Sequence, residues 1–421
     1  MSAFPGAGGR PADTRPPVLF YCQHLLGLGH VQRAAVLARA LVTAGERVLF
    51  VQGGPSVPGL DLGGAEAVPL PPLVAADEAA SRVALPGGGA PGQGYLVARR
   101  ARLLALLAEH DPALVLLELF PFGRHALAFE LGPLCLALAD DRARRGPAAP
   151  RLAVSLRDIV VSKANQPWYE LAVLAVVERF VDRVLVHGSP DLVPLARTFG
   201  LADRLGERVV HTGYVAAAPG LRRPAGPGGE VVVSGGGGRV AGPLFATALA
   251  ARALAPTAAA RPWRLITGPY LPPEMAGALT AQARAVGTLG DRPAVVVEGF
   301  RDDFPALLAG AALSVSQAGY NTVLDVVRSG VRAVVVPYEG SGDEQPLRAR
   351  LLAERGVLMW VPAGELTPSR LAAAMEAALV TPGFPAASRL DLDGAPRSAD
   401  IVRGLVDGVA AARAGQASGR R

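Results

Sequence analysis

The sequence predicts an α/β protein made of two doubly wound, Rossmann-like domains in tandem. Three observations carry this expectation. Short apolar runs alternate with longer segments of helical period. A Pro/Gly-rich break interrupts the alternation near its middle. The 421-residue length exceeds what one ordinary core accommodates, while half the residues are hydrophobic, enough for two large cores.

The elements follow in order. VLFYCQHL, starting at Val18, reads as the first strand. HVQRAAVLARALVTAG follows as a helix, with Val31, Ala34, Ala35, Ala38, Leu41 and Val42 on one face and Gly45 closing it. RVLFVQGG, ALVLLELF, RLAVSL, RVLVHG and RVVHTGYV are further strands, separated by helix-like stretches. Continuous β-branched runs of this kind suit parallel strands covered by helices on both faces. Residues 216–229, AAAPGLRRPAGPGG, hold four Gly and three Pro without apolar period and read as a linker. Then the alternation restarts: EVVVSGGGG, WRLITGP, AVVVEGF, LSVSQAG, RAVVVPYE and VLMWVP. The expected boundaries are a tail at 1–16, a first domain at 17–217, a linker at 218–229, a second domain at 230–395, and a closing helix and tail at 396–421. Ligands of such sheets bind beyond the carboxyl ends of the strands, so two facing domains define a cleft.

Composition narrows the classes. The net charge is +6, yet Lys163 is the single lysine and the arginines are scattered. Aromatics make up 5%, so no stacking platform for nucleic acid is expected. Cys22 and Cys135 sit in apolar segments without paired spacing and read as buried thiols of a reducing compartment. The opening MSAFPGAGGRPADTRPP lacks a signal peptide's apolar core, and no apolar run reaches a membrane span of roughly 18–20 residues; a cytoplasmic protein is expected.

The polar residues concentrate at strand ends. HLLGLGHVQRA places Gly27 and Gly29 in a tight turn and His30 at the start of a helix, where an imidazole suits a general base. VVVSGGGGRVAGPLF runs a strand through four glycines into a helix near Pro243; main-chain N–H groups there, with the helix dipole behind them, favour phosphate. No GK[ST] follows, so it is not a P-loop, and no acidic residue ends WRLITGP as a dinucleotide fingerprint requires. In SQAGYNTVLDVVRSG, Asn321 and Thr322 are expected to cap a helix, with Asp325 one turn on, able to accept from two ribose hydroxyls. VPYEGSGDEQPLRA offers Asp343, Glu344 and Gln345 for sugar hydroxyls, and AVVVEGFRDD offers Phe300 and Arg301 beside a base ring.

The run SQAGYNTVLDVVRSGVRAVVVPY with DEQ resembles the donor half of glycosyltransferase family 28, over most of residues 230–380 plus GLGHVQRA near the start. The resemblance implies a GT-B fold, an acceptor-side N-terminal domain, and metal-independent, inverting transfer from a nucleotide-sugar, UDP-linked, that is a substrate rather than a cofactor. It places His30 near the acceptor, Gly236, Gly237 and Gly238 in the diphosphate loop, and Phe300 and Arg301 at uracil. Gly319, Asn321 and Thr322 fall under the diphosphate, Asp325 at the ribose, and Asp343, Glu344 and Gln345 at the sugar hydroxyls. Three departures stand out: a shorter first loop, Gly for Ser in the diphosphate loop, and Asp325 for a usual Glu. His30, or Asp158 in SLRDI or Glu118 in LLELFPF, would take the acceptor proton, while Arg239 or Arg301 would aid the leaving diphosphate. Asp391-Leu392-Asp393 spells DxD but lies beyond the last strand, so no metal site is expected there.

The acceptor is expected to be a small molecule or lipid-linked. GYLVARRARLLALLAEH sets Arg99, Arg100 and Arg102 beside a Leu-rich face; a core-packed helix with solvated arginines competes with peripheral contact at the inner face of a membrane. Rival readings are a nucleotide-sugar 2-epimerase on the same plan, a non-catalytic nucleotide-sugar-binding protein, and an NAD-dependent oxidoreductase.

Overall fold

The computed structural model describes residues 15–25, 28–77, 80–217, 229–340, 342–381 and 390–418. Gly27 of the first loop and residues 218–228 of the expected linker lie outside them.

Two parallel sheets form the frame. The first holds β1 (Val18–Cys22), β2 (Val48–Gln52), β3 (Glu66–Pro69), β4 (Leu114–Glu118), β5 (Arg151–Arg157), β6 (Arg183–His187) and β7 (Val209–His211), in spatial order 3-2-1-4-5-6-7. The second holds β8 (Val231–Ser234), β9 (Trp263–Ile266), β10 (Val295–Glu298), β11 (Leu313–Ser316), β12 (Ala333–Val335) and β13 (Met359–Trp360). Its order, 10-9-8-11-12-13, repeats the doubly wound plan, reversing direction beside its first strand. β3 escaped the sequence reading because only Val68 of EAVP is buried, which leaves no apolar run.

The helices that matter for the cleft are α1 (Gly29–Thr43), α2 (Gln93–His110), α3 (Ala128–Arg145), α4 (Gln166–Phe180), α5 (Gly242–Arg252), α6 (Pro273–Ala285), α7 (Phe304–Gly310), α8 (Tyr320–Ser329), α9 (Glu344–Glu354), α10 (Pro368–Val380) and α11 (Gly394–Ser418). α1 buries Val31, Ala34, Ala35, Leu37, Ala38 and Leu41, and the chain leaves it through Gly45 at φ +88°, where a Cβ is strained. α11 belongs to the first domain by packing: Ala399, Val402, Val406 and Val409 join Val18, Phe20 and Phe50 in one core. Its Arg413 donates to the carbonyls of Asp111, Pro112 and Ala148.

α2 corrects the reading of its arginines as solvated for Arg99, while Arg102 is exposed as expected. Arg99 is fully buried, bound to Glu130 through Nε (2.8 Å) and Nη2 (3.0 Å), to the Gly53 carbonyl, to Gln23 and to the Pro71 carbonyl. It is therefore withdrawn from any lipid surface. Among the described residues, no helix is long and apolar enough to cross a membrane. Both cysteines are free and buried.

The two domains share a core and a polar clamp. Ile159, Leu192, Val193 and Tyr214 of the first pack with Val323, Leu324, Val327 and Leu352 of the second. Beside them Arg348 grips Asp158 through Nε (3.0 Å) and Nη2 (2.7 Å), with Asp158 1% exposed. Asp158, expected as an alternative base, is thus corrected to an interdomain ion-pair partner: both of its oxygens are engaged and it is absent from the cleft wall. Tyr320 completes the clamp, donating to the His187 carbonyl (2.9 Å) and accepting from Val215 N–H (3.0 Å), its ring flanked by Arg33 and Arg348. Removing one member of a buried ion pair strands the other, at about 3–5 kcal/mol. Arg348→Ala is expected to lower unfolding free energy in urea by about that much; a loss below ~1 kcal/mol would show that the clamp is not what joins the domains.

Candidate functional site

The cleft between the domains encloses about 1430 Å³. Parallel strands place their carboxyl ends at one edge of each sheet, and here the two edges face each other.

On the first-domain wall, β1 runs into α1 and sets His30 on the first helical turn. β4, paired between β1 and β5, delivers Glu118 at its end, 1% exposed. The Glu118 Oε1 atom lies 2.7 Å from His30 Nδ1 and accepts from Arg33 Nη2 at 2.6 Å, Arg33 being three residues along α1 on the same face. Arg124 Nε stands 3.6 Å from the other carboxylate oxygen. Burial alone would raise the Glu118 carboxyl, but His30, Arg124 and Arg33 outweigh it and hold it far below the usual range. An ionised Glu118 requires the proton on Nδ1 of His30, which leaves Nε2 as an acceptor. Burial drives the His30 pKa down to about 4, against the pull of Glu118, so the ring is neutral at pH 7. Glu118, expected as a possible base itself, is corrected to the group that orients one: its Oε1 already serves His30 and Arg33, and the carboxyl is pushed strongly toward its ionised form.

On the opposite wall, β8 enters the glycine turn. Gly236 (φ +57°) and Gly237 line the cleft. Gly238 does not; a Cβ there would lie 2.2 Å from the Thr267 carbonyl oxygen, so this glycine lets the turn pack on the end of β9. Arg239 also lies off the wall, its guanidinium over the Tyr270 ring, which corrects its expected place at a diphosphate.

α8 opens at Gly319 with no side chain capping it. Asn321, expected as a cap, instead donates its amide to the Gly29 carbonyl across the cleft (2.9 Å), and Thr322 lines the wall without capping. The first-turn N–H groups of α8 are thereby left for an anion. Asp325 lines the same wall, and burial raises its carboxyl to about 7, Arg328 opposing only weakly.

The remaining strand ends divide their polar residues. Phe300 is half exposed on the wall. Arg301 lines it too, with its guanidinium already held by Asp303 (2.7 Å) and Glu298 (2.8 Å), which corrects the idea of a free charge for the leaving group. Asp343 is exposed and off the wall, which corrects its grouping with its neighbours. Glu344 lines the cleft and pairs with Arg157 and Arg348, each at 2.8 Å, so its carboxyl is lowered to about 2 although burial opposes this. Gln345 spends its carbonyl on Ala318 and Tyr338 N–H, stapling two strand-end loops together at the wall.

Sequence reasoning missed the cations of the first domain: Arg33, Arg124, Arg157 and Lys163 all line the cleft. For Arg33 the spacing from His30 was a usable signal. Arg124 and Arg157 have none; their elements meet only in the fold. Among the described residues no group of three metal-ligating side chains occurs, and Asp391 of the DxD pairs with Arg397.

Comparisons with known proteins bear on the second domain and on the fold. Residues 272–389 match the model of the glycosyltransferase family 28 C-terminal domain, as the resemblance of the second domain implied. The N-acetylglucosamine transferase of Ralstonia nicotianae that acts on N-acetylmuramyl-(pentapeptide) pyrophosphoryl-undecaprenol is 38% identical over 120 residues, 27% of this chain and 31% of that protein. Its counterpart in Desulforudis audaxviator is 31% identical over 119 residues, 28% of this chain and 32% of that protein. The chain thus spans about a third of the length of these curated relatives. Among solved structures, the glycotransferase of kitacinnamycin superposes with a TM-score of 0.60 at 20% identity, covering 93% of this chain and 99% of its own. MurG of Acinetobacter baumannii gives 0.53 at 17%, covering 92% and 100%. The fold is GT-B.

Asp325 sets a pH signature. An unfolded aspartate titrates near 3.9, so above about pH 7 the folded, empty protein bears the full cost of a buried charge, and below about pH 4 it bears none. Asp325→Asn is expected to raise the melting temperature of the empty protein at pH 8 and to leave it unchanged at pH 4. An equal rise at both values would remove the assignment.

Proposed function

We propose that the protein is an inverting glycosyltransferase that moves a hexose or N-acetylhexosamine from a UDP-sugar to an acceptor hydroxyl. The observation that carries this reading is the His30–Glu118 pair facing, across one cleft, a glycine turn and an uncapped helix start. A base on one wall and an anion cradle on the other are what displacement at a sugar C1 requires.

In this mechanism the diphosphate lies against the main chain of Gly236 and Gly237 and the first turn of α8, with Gly319, Asn321 and Thr322 beneath it. The uracil meets Phe300 and the Arg301 main chain. Ionised Asp325 accepts from the ribose hydroxyls, and Glu344 and Gln345 border the sugar. The acceptor enters from the first-domain wall. Nε2 of His30 takes the hydroxyl proton as the oxygen attacks C1 from the face opposite the diphosphate. The C1–O bond breaks, and the main-chain N–H groups stabilise the charge left on the phosphate oxygen; each well-placed donor is worth about 2.7–4 kcal/mol. Glu118 holds the ring in the reactive tautomer and stabilises the imidazolium that forms, with Arg33 fixing the carboxylate. The curated relatives use UDP-N-acetylglucosamine and a lipid-linked acceptor by name, which supports UDP as carrier and extends to acceptor class by analogy alone.

The experiment is a thermal-shift panel of UDP, TDP, GDP and NAD, followed by mass spectrometry for a glycosylated product. UDP is expected to give the largest shift; no shift with UDP, or a shift with NAD alone, overturns the proposal, and turnover of UDP-sugar with no acceptor favours an epimerase. His30→Ala is expected to lower transfer about 10²–10⁴-fold with UDP affinity unchanged. Glu118→Gln should act on the rate constant rather than on donor KM. Wild-type rates in both variants would dismiss the base assignment.

A further inference from the structure

The cations of the first-domain wall outnumber the carboxylates that face them. Glu118 is shared by His30, Arg33 and Arg124. Of these, Arg124 is the least satisfied: its side chain is 7% exposed, and its Nε and Nη2 make no hydrogen bond. A buried guanidinium left in that state costs free energy unless a partner arrives. The backbone holds it there at a further cost, because Arg124 adopts φ +63°, a left-handed conformation that disfavours a β-carbon. Leu127 N–H bonds back to the Arg124 carbonyl at 2.8 Å and fixes the turn.

Two further cations stand nearby. Arg157 gives one nitrogen to Glu344 at 2.8 Å and keeps Nε without a partner. Lys163 lines the cleft and has no carboxylate within salt-bridge reach among the described residues. All three line the same cleft, and burial first, then Arg157 and Arg124, push the Lys163 ammonium below its ordinary pKa. Cations that line one cleft with unused donors form a site for an anion.

We propose that Arg124, flanked by Lys163 and Arg157, forms an oxyanion subsite on the acceptor wall, so that the acceptor carries a carboxylate or phosphate close to the hydroxyl that receives the sugar. The placement follows from Glu118, which touches His30 with one oxygen and stands beside Arg124 with the other. A hydroxyl at His30 and an oxyanion at Arg124 therefore sit on either side of one carboxylate. A guanidinium and an ammonium bind carboxylate and phosphate alike. This deepens the transferase reading and rests on it for the word acceptor.

The test uses full-length protein saturated with UDP, which removes the donor diphosphate cradle from competition. Calorimetric titration with inorganic phosphate and with acetate is expected to show binding, and titration with glycerol none. Arg124→Gln should weaken anion binding at least tenfold, Arg124→Lys less, and Lys163→Met severalfold, with UDP affinity within twofold of wild type in each as the sign of an intact fold. Glycerol 3-phosphate and a short-chain phosphatidic acid then separate a soluble phosphate-bearing acceptor from a lipid head group, by whichever binds more tightly than inorganic phosphate. No anion binding by the UDP-saturated wild type, or equal binding by Arg124→Gln, overturns the subsite. Neither organic phosphate exceeding inorganic phosphate overturns its link to an acceptor. Failure of UDP itself to bind overturns the transferase reading, while anion binding that still depends on Arg124 would leave the subsite standing.

Discussion

Arg348 and Asp158 neutralise each other where the two domains meet, beside the apolar core they share. Each charge alone would be costly in so buried a position, and neither domain carries both. The same arginine also reaches Glu344 at the cleft wall and the Ala318 carbonyl just before α8. One guanidinium therefore links the domain junction to the strand ends that would hold a donor. Tyr320 reinforces the link, since it begins α8 yet bonds to main chain of the first domain. Domain placement and donor-site geometry are consequently not independent properties of this chain.

A second carboxylate organises the other wall. Glu118 gives its Oε1 to both an imidazole and a guanidinium, while its Oε2 makes no hydrogen bond and stands 3.6 Å from Arg124 Nε. The imidazole is held neutral with a defined tautomer, Arg33 keeps its Nε without a partner, and Arg124 is left with two unused nitrogens. Asp325 shows the complementary case on the facing wall: a carboxylate without a close partner, raised to about 7 by burial. Groups left unsatisfied in an empty protein are those whose partners a ligand brings, and both stand on the same cleft.

Much of this protein was legible in its sequence because its signals are local. Apolar runs of β-branched residues marked the parallel strands, since a strand covered on both faces has no polar alternation to blur it. The glycine turn after β8, the start of α8 and the loop before α1 were visible because a strand that turns sharply into a helix needs small residues. Helical period put Asp325 on the face of Asn321, and both line the cleft. What sequence could not resolve was which side chain spends its hydrogen bonds elsewhere. Asn321 bonds across the cleft to Gly29, 292 residues away, and Asp158 pairs with Arg348, 190 residues away. Local spacing carries no information about either contact. Arg99 read as a solvated helix arginine and is a fully buried one for the same reason: its partners Glu130, Gln23 and Gly53 come from other elements. The sequence by itself determined the strand-helix alternation, the two sheets and the polar strand ends, because periodicity and turn chemistry act over a few residues. Only the tertiary structure decided which of those polar groups face the cleft and in what charge state, because desolvation and Coulomb interaction depend on distances that folding alone creates.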